Sequence, residues 1–123
     1  MRATSFILLC ALALALGSGG CSSTAQPEPL PATVTQGVQR ATVLINRGYS
    51  PNIVKVQKGK PVELTFRAGE NLGCGETIVF KTLSQTKTVK KGESVTFTFT
   101  PDEAGDIPFS CSMDMYRGKV VVQ

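Results

Sequence analysis

Polar and apolar residues alternate along most of the C-terminal two thirds of the chain. Val62, Leu64 and Phe66 alternate with Glu63, Thr65 and Arg67. Val95, Phe97 and Phe99 alternate in the same way with Ser94, Thr96, Thr98 and Thr100. A period of two is the signature of a strand buried on one face. Residues 38–46 are rich in β-branched side chains and run into the turn Asn46-Arg47-Gly48, and residues 53–57 place Val54 and Val56 on one face. Shorter strands are predicted over 77–80, 107–111 and 118–123. Lys58-Gly59-Lys60-Pro61, Lys90-Lys91-Gly92-Glu93 and Pro101-Asp102-Glu103-Ala104-Gly105 separate them as turns and loops, since glycine accepts positive φ and proline suits a strand start. No stretch sustains an apolar period of 3.6. Short strands with turn signals every eight to twelve residues predict an all-β fold, an antiparallel Greek-key β-sandwich.

The pattern changes upstream of residue 37. Arg2 is followed by an apolar run from Phe6 to Leu16, then Gly17-Ser18-Gly19-Gly20 and Cys21. That run is short for a membrane span and suits the apolar region of a secretory signal, so residues 1–20 are expected to be a signal peptide. Cys10 lies inside the run and is expected to leave with it. A cysteine directly after small residues resembles a bacterial lipoprotein processing site, which makes Cys21 the expected lipidated first residue. Ser18 departs from the leucine usual three positions before that cysteine, and plain cleavage or an uncleaved anchor are the alternatives. Residues 21–36 are rich in Ser, Thr, Ala, Gln and Pro and read as an extended linker that tethers the domain to the membrane. The folded domain is expected over 37–123, on the exported, periplasmic or cell-surface side. So small a domain buries only about 60–65% of its chain surface, so a clamp such as a metal or disulfide would help it.

Charge adds little. Thirteen Lys and Arg stand against nine Asp and Glu, and the basic residues are scattered without interleaved aromatics, so no nucleic-acid footprint is present. The absence of histidine tells more. It removes histidine-based zinc sites, Ser-His-Asp and Cys-His catalytic arrangements, and the usual proton shuttle at neutral pH. Nothing else suggests an enzyme.

The remaining candidate chemistry is sulfur. Cys111, Met113 and Met115 form C-x-M-x-M within Phe109-Ser110-Cys111-Ser112-Met113-Asp114-Met115-Tyr116, and Cys74 lies upstream in Leu72-Gly73-Cys74-Gly75-Glu76. Thiolate and thioether donors suit monovalent copper, a soft and polarisable cation. Two thiolates beside Cu(II) would tend to reduce it and close to a disulfide, so a durable complex holds Cu(I). Copper uptake should release protons, because the ligand is the thiolate. The bland alternative is a structural disulfide between Cys74 and Cys111 in an oxidising compartment, with Met113 and Met115 as core filler. The methionines nevertheless fall in a polar segment with Ser112, Asp114 and Arg117. Glu76 reads as a solvated residue, and Tyr49 and Tyr116 as packing residues with hydrogen-bonded hydroxyls.

Longer segments carry a resemblance. Tyr49-Ser50-Pro51-Asn52, the Val54-x-Val56-x-x-Gly59-x-Pro61-Val62 stretch, and Phe99-Thr100-Pro101-Asp102-x-Ala104-Gly105-x-Ile107-x-Phe109-x-Cys111 resemble the cupredoxins, the plastocyanin-like β-sandwiches. Gly118-Lys119-Val120-Val121-Val122 continues it, and it covers roughly residues 38 to 123. In a blue-copper cupredoxin the ligands are two histidines, a cysteine and a methionine. Here Cys74 stands in the region of the first histidine, Cys111 matches the cysteine, and Met113 and Met115 fill the loop of the remaining ligands. The chain is more similar to the membrane-anchored cupredoxin-like Cu(I) chaperones of bacterial copper resistance. That resemblance implies Cys74 and Cys111 as ligands of one or two Cu(I) ions, Met113 and Met115 as a second, weaker position, and a copper-exporting pump or efflux component as partner. An electron-transfer cupredoxin with an atypical site, or a metal-free, disulfide-stapled domain, remain the alternatives.

Overall fold

A computed structural model describes residues 29–123. The expected signal peptide, with Cys10 and Cys21, lies outside the described residues. Two sheets pack face to face. One has the strand order β1 (Leu30–Pro31), β5 (Ile53–Val56), β11 (Arg117–Val122), β10 (Gly105–Cys111), β7 (Thr77–Phe80) and β8 (Gln85–Thr88). The other runs β2 (Thr33–Thr35), β3 (Val38–Ile45), β6 (Val62–Ala68) and β9 (Ser94–Phe99), with the short β4 (Tyr49–Ser50) paired to β3.

The alternation read from the chain sets which side chains enter the core. On β3, Ala41, Val43 and Ile45 point inward, and on β6, Val62, Leu64, Phe66 and Ala68 do the same. Parallel pairing places Ala41 beside Leu64 and Val43 beside Phe66, and the antiparallel β6–β9 pair adds Phe97 beside Leu64. Ile78, Phe80, Phe109, Cys111, Val120 and Val122 fill the facing sheet. Phe66 is the hub. Its ring meets Tyr49 at 5.6 Å, Phe97 at 5.5 Å and Phe109 at 5.2 Å, each edge to face, an arrangement that matches the positive edge of one ring to the negative face of another.

The β-sandwich class is as expected, but the sheets are mixed rather than antiparallel throughout. β3–β6, β5–β11 and β1–β5 run parallel. The chain passes from β3 to β5 in the other sheet and returns to β6, and two crossings restore the original direction. Periodicity specifies which face of a strand is buried, not its neighbour or direction.

The sandwich also starts earlier than residue 37. Leu30 and Pro31 pair with Val54 and Lys55, and Thr33 to Thr35 pair with Val38 to Arg40, so part of the expected linker forms two edge strands. Gln36 and Gly37 both have positive φ, 53° and 79°, as a two-residue hairpin turn of the I′ kind requires. These strands bury little side chain, with Leu30 46% and Val34 50% exposed, so their hydrophobic signal is weak and their pairing is through the backbone. β8 is likewise polar and exposed along most of its length and left no signal in the apolar pattern.

One buried polar residue ties the connections together. Gln39, 1% exposed, donates from Nε2 to the Gln57 carbonyl at 2.9 Å and accepts from Gln57 N–H at 2.6 Å. Replacing Gln39 with Leu should lower stability by about 1–3 kcal/mol, the cost of leaving buried backbone groups unpaired, and Phe66→Ala by about 3–5 kcal/mol. Urea unfolding followed by tyrosine fluorescence measures both.

Candidate metal centre

Cys111 is the last residue of β10, and Cys74 sits in the 3-10 turn Gly73–Glu76 that leads directly into β7. β10 and β7 are antiparallel neighbours, with Cys111 opposite Ile78, so the end of one strand lies beside the start of the other. The two Sγ atoms are 2.8 Å apart, and both cysteines are free thiols. Cys111 is buried at 1% exposure, whereas Cys74 is only partly covered. The pair therefore has a closed side against the core and an open side toward solvent.

The loop from Ser112 to Tyr116 wraps around Cys111. Cys111 N–H donates to the Tyr116 carbonyl at 3.0 Å, and Asp114 N–H donates to the Cys111 carbonyl at 2.9 Å. Met115 N–H and Tyr116 N–H both donate to Cys111 Sγ, each at 3.3 Å. Asp114 takes a left-handed φ of 57°, which aspartate tolerates better than most residues, and its carboxylate holds Arg117 at 2.6 Å. That exposed ion pair orders the loop more than it stabilises the fold.

The same contacts separate the two thiols electrostatically. Burial pushes the Cys111 thiol up, but the hydrogen bond with Cys74 and the N–H groups of Tyr116, Met115 and Met113 outweigh it, leaving Cys111 below the ordinary thiol range. Cys74 is raised, first by burial and then by its hydrogen bond to Cys111 and the charge there. Cys111 is thus the more acidic thiol of the pair and Cys74 the less acidic, and the thiolate is the form that binds metal.

Tyr116 joins the two segments, and the apolar pattern carried no hint of it. Its ring lies on the Cys74 turn so closely that a Cβ on Gly73 would fall 2.5 Å from its hydroxyl. A Cβ on Gly75 would fall 2.6 Å from Ile45 Cγ2 and 3.1 Å from the Tyr116 ring. The Gly-Cys-Gly spelling was the available signal: glycines on both sides of a cysteine mark close approach of another group. Tyr49 lies beneath, its ring 6.0 Å from Tyr116. Contrary to the expectation of a hydrogen-bonded hydroxyl, the Tyr49 OH is buried with no partner among the described residues, and its pKa is raised well above the phenol range, chiefly by burial and then by Cys111 and Cys74.

Met113 and Met115 are each 69% exposed on this loop. They are not core filler. Glu76 is exposed, as expected. Among the described residues no three His, Cys, Asp or Glu side chains cluster as a metal site would need, which disfavours the tetrahedral four-ligand zinc arrangement. Two thiols in contact, with thioethers on the adjoining loop, form a soft donor set on a β-sandwich and fit Cu(I).

A family model described as the cupredoxin-like domain matches residues 7–122. The chain belongs to the cupredoxin-like domain family. It is similar to the metal-binding domain of the Cu(I)-exporting P-type ATPase CopA of Streptococcus pneumoniae, solved with Cu(I): 30% identity and a TM-score of 0.75, covering 80% of this chain and 99% of that one. A copper-binding protein solved in solution in its apo form is 28% identical with a TM-score of 0.75, covering 80% of this chain and all of that one. A reduced Cu(I) form of a proline-to-glycine amicyanin variant is 27% identical with a TM-score of 0.54, covering 80% of this chain and 94% of that one. Comparison with curated proteins finds no match.

Two measurements test this geometry. In Cys74→Ser, with the sulfur-to-sulfur hydrogen bond altered, the Cys111 ionisation midpoint should move upward, read as thiolate absorbance near the ultraviolet edge against pH. Gly75→Ala should destabilise the domain by about 1–3 kcal/mol through overpacking and speed alkylation of Cys111 by opening the turn that covers it.

Proposed function

We propose that this chain is an exported Cu(I)-binding protein that sequesters copper or delivers it to an efflux partner through Cys74, Cys111, Met113 and Met115. The carrying observation is the approach of the Cys74 and Cys111 sulfurs to 2.8 Å, in a chain without histidine. A blue-copper centre cycles with two imidazoles and a thiolate. Without imidazole the sulfur pair favours the cuprous state and disfavours electron transfer as the main role. Cys111 and Cys74 retain one ion at the closed side of the site. Met113 and Met115, exposed and weaker as ligands, take a second ion or hand one onward, so the protein carries one or two.

The efflux assignment rests on likeness to the CopA metal-binding domain, which belongs to a Cu(I)-exporting ATPase. Such a pump is the proposed recipient. Membrane attachment is proposed through a lipid on Cys21 and the following residues, which hold the domain near that partner on the exported face.

Anaerobic titration with Cu(I) against a competing chelator is the test. The reduced protein should bind tightly and release protons. Cys74→Ser and Cys111→Ser should each weaken binding by more than the roughly 100-fold that loss of a supporting residue around a metal costs, and Met113→Leu or Met115→Leu by about 10-fold. Equal affinity in wild type and the double cysteine variant would end the proposal.

A further inference from the structure

The sulfur pair also has the arrangement of an electron donor. Both thiols are free and their sulfurs lie 2.8 Å apart, within reach of each other for a bond. Cys74 is only partly covered, and it is the face that an arriving ion meets. Cupric ion prefers nitrogen and oxygen donors in tetragonal geometry, but the chain has no histidine, and among the described residues no cluster of three His, Cys, Asp or Glu exists. A Cu(II) ion reaching this end of the sandwich therefore meets no donor set that would hold it as Cu(II), and meets two sulfurs able to give it electrons.

We propose that Cys74 and Cys111 reduce Cu(II) to Cu(I). Each sulfur gives one electron, two cupric ions become two cuprous ions, the Cys74–Cys111 bond forms, and the protons left on the thiols go to water. The cuprous product then loses its thiolate ligands, because a disulfide is a poor donor. Met113 and Met115 receive it: they stand exposed on the adjoining loop, and electron loss at the cysteines leaves their thioethers unchanged. Oxidation in this way moves copper from the retaining position to the transferring one. The inference rests on the reading of these four residues as Cu(I) ligands and adds a reaction to it.

The test uses the full-length reduced protein, freed of small thiols under argon and mixed with copper(II) sulfate. Unreacted Cu(II) is removed with EDTA, and Cu(I) is then counted with bathocuproine disulfonate. About two cuprous ions should appear per Cys74–Cys111 cross-link, as a two-electron couple requires, with the cross-link identified by peptide mapping after alkylation of the remaining thiols. Cys74→Ser should lose the cross-link and most of the Cu(I) yield. After oxidation, Cu(I) should stay with the wild type through gel filtration and separate from the Met113→Leu, Met115→Leu double variant. Cys74 and Cys111 recovered as intact thiols would overturn the proposal, as would a Cu(I) yield undiminished in Cys74→Ser. Cu(I) lost equally from wild type and the methionine variant would overturn the transfer to Met113 and Met115. A parallel Cu(I) titration separates the two readings. Tight Cu(I) binding with thiols untouched by Cu(II) removes only the reduction, and cross-linking without Cu(I) binding removes only the carrier role.

Discussion

The antiparallel pairing of β7 with β10 is the constraint on which the site depends. It is short, with Ser110 opposite Val79 and Cys111 opposite Ile78, yet it decides where both sulfurs lie. Cys111 closes one strand and Cys74 precedes the other by a single turn, so antiparallel neighbours bring them to the same end of the sandwich. Had the same strands run parallel, the end of β10 would lie beside the end of β7, a strand length away from Cys74. The core holds this pairing in place: Phe109 and Phe80, one on each strand, meet at 5.2 Å with tilted rings, and both pack on Phe66.

Around the pair, local contacts divide the work between the two sulfurs. Backbone N–H groups of the 112–116 loop converge on Cys111, and the same loop sends Tyr116 over the Cys74 turn. One residue thus donates to one sulfur through its backbone and packs its ring on the turn that carries the other. The thioethers are left outside this enclosure, in solvent. The buried thiol and the exposed thioethers therefore differ in their access to solvent, although they lie on one strand end and its following loop.

Much of the scaffold was legible in the chain. Alternation at Val62–Leu64–Phe66 and at Val95–Phe97–Phe99 marked the strands that supply the core, and their inward faces are buried. The strands that alternation missed are those with little to bury: β1, β2 and β8 are edge or near-edge strands joined by backbone hydrogen bonds, which any side chains permit. Parallel pairing of β3 with β6 was also beyond reach, since inward-facing residues repeat identically in either direction. The internal bonding of Gln39 and the burial of the Tyr49 hydroxyl depend on groups distant in the chain.

The donor set itself belonged to the sequence. Cysteine and methionine without histidine suit soft rather than hard metals wherever the chain places them, because hardness and polarisability are properties of the atoms. Whether those atoms act together was decided only by the tertiary structure. Cys111 lies 37 positions after Cys74, and no local pattern encodes the distance between two such positions. Strand pairing set that distance, the Tyr116 ring packed on Gly73 and Gly75 confined the Cys74 turn, and loop hydrogen bonds made Cys111 the more acidic sulfur.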